Sequence, residues 1–179
     1  MGMEGVQQTR HRGVQDRVRG FNKQILNPFM LRFAGRPLAP YGVVRHVGRR
    51  TGTEYDTPVL VGRSGDRFVV PLPYGTDADW YRNVRAADGA TVVWQGSAYQ
   101  ATEPRLTDPS TVPKAFPEWM NRLVDAGEAQ QYLRLERGEE VPEVYRDVTE
   151  TYPAKPAVVG VAGAALLAGV LWRAARRLG

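Results

Sequence analysis

The chain has 179 residues and no cysteine, which excludes disulfide staples, thiolate metal sites and a cysteine nucleophile. Two histidines, His11 and His46, are too few for a histidine-rich metal cluster, and 42% hydrophobic residues with 19 glycines fit one ordinary globular domain. The net charge of +5 sits at the ends: residues 1–55 carry 10 basic against 3 acidic side chains, and residues 173–179 carry 3 arginines, whereas the stretch between is acidic.

Residues 1–20 are polar, with no apolar run of the kind a secretory signal needs, and residues 1–13 read as an extended basic terminus. Val14, Val18, Phe21, Ile25, Phe29 and Phe33 then recur at helical spacing, with a break expected at Asn27-Pro28. Gly35-Arg36-Pro37 opens a loop. Tyr41 to Val47 and Tyr55 to Val61 read as two strands of a hairpin around Gly48-Arg49-Arg50-Thr51-Gly52. Arg67 to Leu72 reads as a third strand, which Pro73-Tyr74-Gly75 leaves for a loop. Asp77 or Asp79 is expected to cap a helix through Trp80, Val84 and Arg85 to Ala87. Thr91 to Gln95 and Tyr99 to Thr102 form a hairpin across Gly96-Ser97, continuing outward to Thr107. The pattern from Pro117 to Arg137 predicts a helix, and Tyr145 to Tyr152 a short helix or linker. These elements predict a mostly antiparallel α+β domain over 14–152, with the strands closed into a small barrel.

Two stretches carry candidate chemistry. In Gly48 to Gly52 the glycines allow a tight turn that exposes backbone N–H groups, while Arg49, Arg50 and the Thr51 hydroxyl add donors. Such a turn can hold a phosphate or carboxylate, although a solvated basic hairpin tip is the plainer alternative. The second stretch, Val70-Pro71-Leu72-Pro73-Tyr74-Gly75, withdraws a strand end from pairing and offers backbone to a planar ligand. It is followed by Asp79-Trp80-Tyr81-Arg82-Asn83, where Trp80 and Asn83 share a helix face. A core anchor for Trp80, a loop tie for Asn83 and a structural role for His46 are the bland readings.

In this order, the turn, Thr57-Pro58, the strand-end loop and Asp79-Trp80 with Asn83 resemble the deazaflavin-dependent nitroreductase family over roughly residues 21–105. The resemblance implies a split β-barrel, FMN-binding-like, that binds coenzyme F-420, a deazaflavin, with FMN as the less favoured ligand. It implies that Arg49, Arg50 and Thr51 take the cofactor's phosphate beside Tyr55. Thr57, Pro58 and Val59 would line the ring, and the backbone of Pro71, Leu72, Pro73 and Tyr74 would approach its edge. Asp79, Trp80 and Asn83 would close the pocket. Tyr74 is the expected proton donor, with Tyr41 and Tyr132 as runners-up and a turn residue packing over Trp80 as the plainer role for Tyr74. Just after the turn, where many relatives carry a further arginine, this chain has Thr53-Glu54-Tyr55-Asp56. The implied activity is hydride transfer from reduced F-420 to a small lipophilic, electron-poor substrate such as a quinone or nitroaromatic compound. The alternative is a non-catalytic carrier or sensor of the deazaflavin or flavin. Nucleic acid is set aside, because basic and aromatic residues do not interleave on one strand face. No metal is expected.

Residues 153–179 read as a linker plus an apolar C-terminal helix with an arginine-rich end. Residues 157–172 hold no charged or polar side chain and would span about 24 Å as a helix, short of a hydrocarbon core of about 30 Å. A short anchor, an interfacial helix held by Arg173, Arg176 and Arg177, and a helix packed on the barrel or in a homodimer all fit. Membrane association of a cytoplasmic protein through residues 157–177 is the favoured expectation.

Overall fold

The computed structural model describes residues 27–73, 75–112, 115–118, 120, 121, 129 and 131–154. The expectations for residues 1–26, for Tyr74 and for the apolar tail 157–177 therefore lie outside the described residues. Among the described residues, no helix is long and apolar enough to cross a membrane.

Seven strands make one antiparallel sheet: β1 (Tyr41–Val47), β2 (Glu54–Leu60), β3 (Gly62–Ser64), β4 (Arg67–Pro71), β5 (Gly89–Trp94), β6 (Ser97–Thr107) and β7 (Tyr132–Glu140). Their order is β2-β1-β5-β6-β7-β4-β3. Strands β2 and β3 stand at opposite edges of that order, yet only Val61 separates them in the chain. The sheet must therefore curl until its edges meet, and closure of this kind protects the exposed edges that a flat sheet would leave. The predicted barrel is thus observed as a curled seven-stranded sheet with few helices.

Alternation along each strand builds the interior. Val44, Val59, Phe68, Val70, Val92, Ala101, Leu133 and Leu135 meet inside, while Val43, Val69 and Val93 on the opposite faces belong to two outer clusters. The β5–β6 connection is a two-residue turn, Gln95-Gly96, with both φ values positive (51° and 88°), the handedness that matches strand twist.

Two longer α-helices follow α1 (Asn27–Leu31), which starts at the expected break with Pro28 in its first turn. Helix α2 (Asp79–Ala86) buries Tyr81, Asn83 and Val84. It leaves the end of β4 and enters the start of β5, and in an alternating sheet those are the same end as the β1–β2 turn. Helix α2 thus lies across the end that carries residues 48–52. Helix α3 (Pro142–Thr151) covers the outer face through Val148, packed with Leu31, Ala34, Val43, Val93 and Ala98. Arg45 fastens it, bonding Asp56 at 2.8 and 2.9 Å and reaching Asp147 on α3. These carboxylates, Asp56 first, raise the Arg45 pKa further above its already high value.

Two sequence expectations are corrected. The C-terminal part of the helix read over 117–137 is instead strand: β7 begins at Tyr132 and pairs with both β4 and β6. Leu133 and Leu135 point inward two residues apart, so the strand period governs where helical spacing had been read. Neither Asp77 nor Asp79 caps α2: Ala78 holds that position without a side-chain cap, and the two carboxylates pair with Arg82 and Arg49 instead.

Candidate functional site

The β1–β2 turn closes by its own hydrogen bonds. Gly48 N donates to Thr53 O (2.8 Å), Gly52 N to Gly48 O (2.8 Å) and Thr51 N to Gly48 O (3.2 Å). Thr53 N reaches Thr51 Oγ1 (3.3 Å), and Arg49 N goes to Asn83 Oδ1 (3.2 Å). Among the described residues only the Arg50 N–H of this turn is left over, so the exposed N–H cradle read from the sequence is largely spent internally. An anion here would be held by side chains. Gly52 is needed for its positive φ of 67°. Gly48 is needed because a Cβ would come within 2.5 Å of Thr51 Oγ1 and 2.8 Å of the Tyr55 ring.

A chain of polar groups, buried at Asn83 and His46, ties this turn to α2. Arg49 Nη1 donates to Asn83 Oδ1 at 2.8 Å, and Arg49 Nη2 bonds Asp79 Oδ1 at 3.1 Å. Asn83 Nδ2 meets His46 Nδ1 at 3.2 Å, and His46 Nε2 meets Thr57 Oγ1 at 3.0 Å. Asn83 and His46 are the buried polar residues of the described chain. No buried side-chain nitrogen or oxygen among the described residues lacks a partner. Burial lowers the His46 pKa to about 4 despite the opposing pull of Asp56 and Asp79. The Tyr55 ring stacks beside the imidazole at 5.8 Å, and its hydroxyl lies 3.4 Å from Thr51 Oγ1.

Of the residues singled out from the sequence, Arg49, Thr51, Tyr55, Thr57, Asp79 and Asn83 come together around this chain. Arg50 is on the same turn, exposed, and makes no hydrogen bond or ion pair among the described residues. Thr57 and Val59 are on the inward face of β2, with Val59 in the core. Pro58 points to the other face by strand alternation. Pro71 and Leu72 are buried, Leu72 within the interior cluster, and Pro73 is exposed. Trp80 packs half-buried against the same cluster, edge-on to Tyr81 at 6.4 Å, which is the core-anchor role. His46 is the residue whose place in the site the sequence understated. Its signal was position: two residues before the turn, on the inward-facing parity of Val44.

A curled antiparallel sheet with a helix across one end and a cationic turn tied to that helix defines a small split-barrel protein. The chain belongs to the F420H(2)-dependent quinone reductase family, whose model matches residues 12–134. The cofactor that goes with this family is coenzyme F-420, and its members are oxidoreductases. Among solved structures, one described as an F420 reductase is 17% identical, with 62% of this chain and 94% of that chain covered and a TM-score of 0.42. An F420-H2 dependent reductase is 15% identical, covering 54% and 94%, with a TM-score of 0.38. A heme binding protein from Mycobacterium smegmatis is 12% identical, covering 64% and 53%, with a TM-score of 0.41. No curated protein sequence matches the chain.

The residues at this end fit the cofactor's acidic groups. An exposed arginine without a partner among the described residues, Arg50, stands beside two hydroxyls, Thr51 and Tyr55, on a turn that hydrogen bonds within it and to Asn83 hold in place.

Proposed function

We propose that the chain reduces an electron-poor substrate, a quinone in the first instance and a nitroaromatic compound in the second, at the barrel end carrying residues 48–52. The observation that carries this reading is the tie from Arg49 to the buried pair Asn83 and His46, which fixes the cationic turn while leaving Arg50 unspent. When bound, F-420 supplies a hydride as a two-electron donor. The chain's own residues bind and orient. Arg50 and the Thr51 hydroxyl hold the phosphate; Arg49, neutralised by Asp79, keeps the turn in register with α2. Thr57 and the Tyr55 ring border the planar group, and the half-buried Trp80 helps exclude water. Tyr74, next in the chain after Pro73, is the side chain we assign to protonating the reduced substrate. A small lipophilic quinone suits an apolar interior of valines and leucines at the base of the site.

The test is equilibrium binding of F-420, with FMN alongside, to the wild type and to Arg50→Ala by quenching of deazaflavin fluorescence. Wild-type binding that Arg50→Ala weakens, with FMN ignored, supports the reading. Binding of FMN alone would replace the cofactor, and F-420 binding without quinone turnover would favour a carrier.

A further inference from the structure

Arg49 fixes the direction of every hydrogen bond in the tie, and this bears on His46 in a way that rests on the cofactor reading above. A guanidinium and a peptide N–H can only donate. The Asn83 atom 2.8 Å from Arg49 Nη1 and 3.2 Å from Arg49 N is therefore the carbonyl oxygen. The amide nitrogen then faces His46 Nδ1 at 3.2 Å and donates to it, which requires Nδ1 to carry no proton. A neutral imidazole with a bare Nδ1 has its hydrogen on Nε2, 3.0 Å from Thr57 Oγ1. Thr57 accepts that hydrogen, so its own hydroxyl hydrogen must point away from the ring. Among the described residues, Thr57 Oγ1 has no other partner. Its side chain is half-buried on the inward face, beside Val59 and the exposed Tyr55.

We infer that His46 is a positioning residue: it holds Thr57 as a hydrogen-bond donor toward an acceptor atom, a carbonyl oxygen or ring nitrogen, on the edge of the bound planar cofactor. His46 is 5% exposed and Asn83 6%, so water does not compete for the bond between them. The charged groups that act on the ring are Asp56 across the β1–β2 pair and Asp79 on α2, and both favour an imidazolium. Burial outweighs them, and the ring stays neutral, as the relay requires. A protonated His46 would turn Nδ1 into a donor facing the Asn83 amide donor. Flipping that amide would only move the conflict to Arg49.

Heteronuclear NMR of the ligand-free full chain at neutral pH reads the first half of the inference. The Nε2–H tautomer of His46 is expected, and an Nδ1–H tautomer or an imidazolium overturns it. Titration with F-420, followed by fluorescence, reads the second half. Thr57→Val, which keeps the shape and removes the hydroxyl, is expected to bind about 10-fold more weakly, and Thr57→Ser within about 2-fold of the wild type. His46→Leu should lose affinity like Thr57→Val. His46→Gln, whose amide can accept from Asn83 and donate to Thr57, should recover most of it. Wild-type binding with an unaffected Thr57→Val sinks the donor role alone. A wild type that binds no F-420 brings down the cofactor reading and the donor role with it, even if the tautomer is as derived.

Discussion

Replacing Asn83 by Asp changes one terminal group and reverses what the site asks of His46. In the wild type the amide donates to Nδ1 across 3.2 Å, and burial holds the ring's pKa at about 4, below its ordinary 6.5. In Asn83→Asp one carboxylate oxygen can still accept from Arg49 N and Nη1. The other faces the Nδ1 lone pair, and that contact becomes favourable only if the ring takes up a proton there. An opposite charge at hydrogen-bonding distance raises a pKa by about 1–3, which would bring His46 to about 5–7. The assay is an NMR titration of the His46 ring in both proteins, assigned with His46→Gln. The same change has a stability signature. With the folded-state pKa below the unfolded one, the unfolded wild type gains a proton between pH 6.5 and about 4 while the folded chain does not. Stability therefore falls as the pH drops through that window, by at most about 3 kcal/mol and about 2 once solvent screening is allowed for. Above the window this cost vanishes. In Asn83→Asp the two pKa values converge and the dependence flattens. A His46 that still titrates near 4 in the variant would refute the hydrogen-bond directions on which the site is built.

The two arginines of the turn should separate. Arg50→Ala is expected to leave the denaturation midpoint unchanged and weaken F-420 binding about 10- to 100-fold, the value of a charge-assisted contact. Arg49→Ala should instead lower stability by about 1–2 kcal/mol in chemical denaturation, because it removes the bonds to Asn83 and Asp79. Asp56→Ala should cost about 3 kcal/mol, because it strips a bidentate partner from an Arg45 whose side chain is only 11% exposed; equilibrium unfolding measures it. Leu135→Ala should cost about 2–5 kcal/mol, as expected for an inward side chain of a central strand, and little change would question the placing of β7.

Much of this was legible in the sequence. The β1–β2 and β5–β6 hairpins follow from short alternating runs around glycine turns, and both form with bounds close to those expected. The barrel follows from the number of strands and the scarcity of helix. Strand β7 was misread because Trp119, Leu123 and Tyr132 extend a helical spacing, while the deciding contacts of Leu133 with Val70 and Leu106 come from distant chain segments. In the site, the residue types and their order were visible, but their hydrogen-bond commitments were not. Asn83 lies 37 residues from His46, and no local pattern reveals that its amide joins the ring to Arg49. Nor could the sequence show that the turn spends most of its N–H groups on itself. Asn83 and Trp80 each turned out to hold the structure together, as tie and core anchor, at the same end of the barrel that the motif marks.

The central claim is tested most directly by following oxidation of reduced F-420 by a soluble quinone, in the deazaflavin absorbance band, with the purified full chain. The account expects turnover that saturates in both cofactor and quinone and that Arg50→Ala impairs through weaker cofactor binding. A rate no faster than the uncatalysed reaction, from a folded chain that binds F-420, would contradict it.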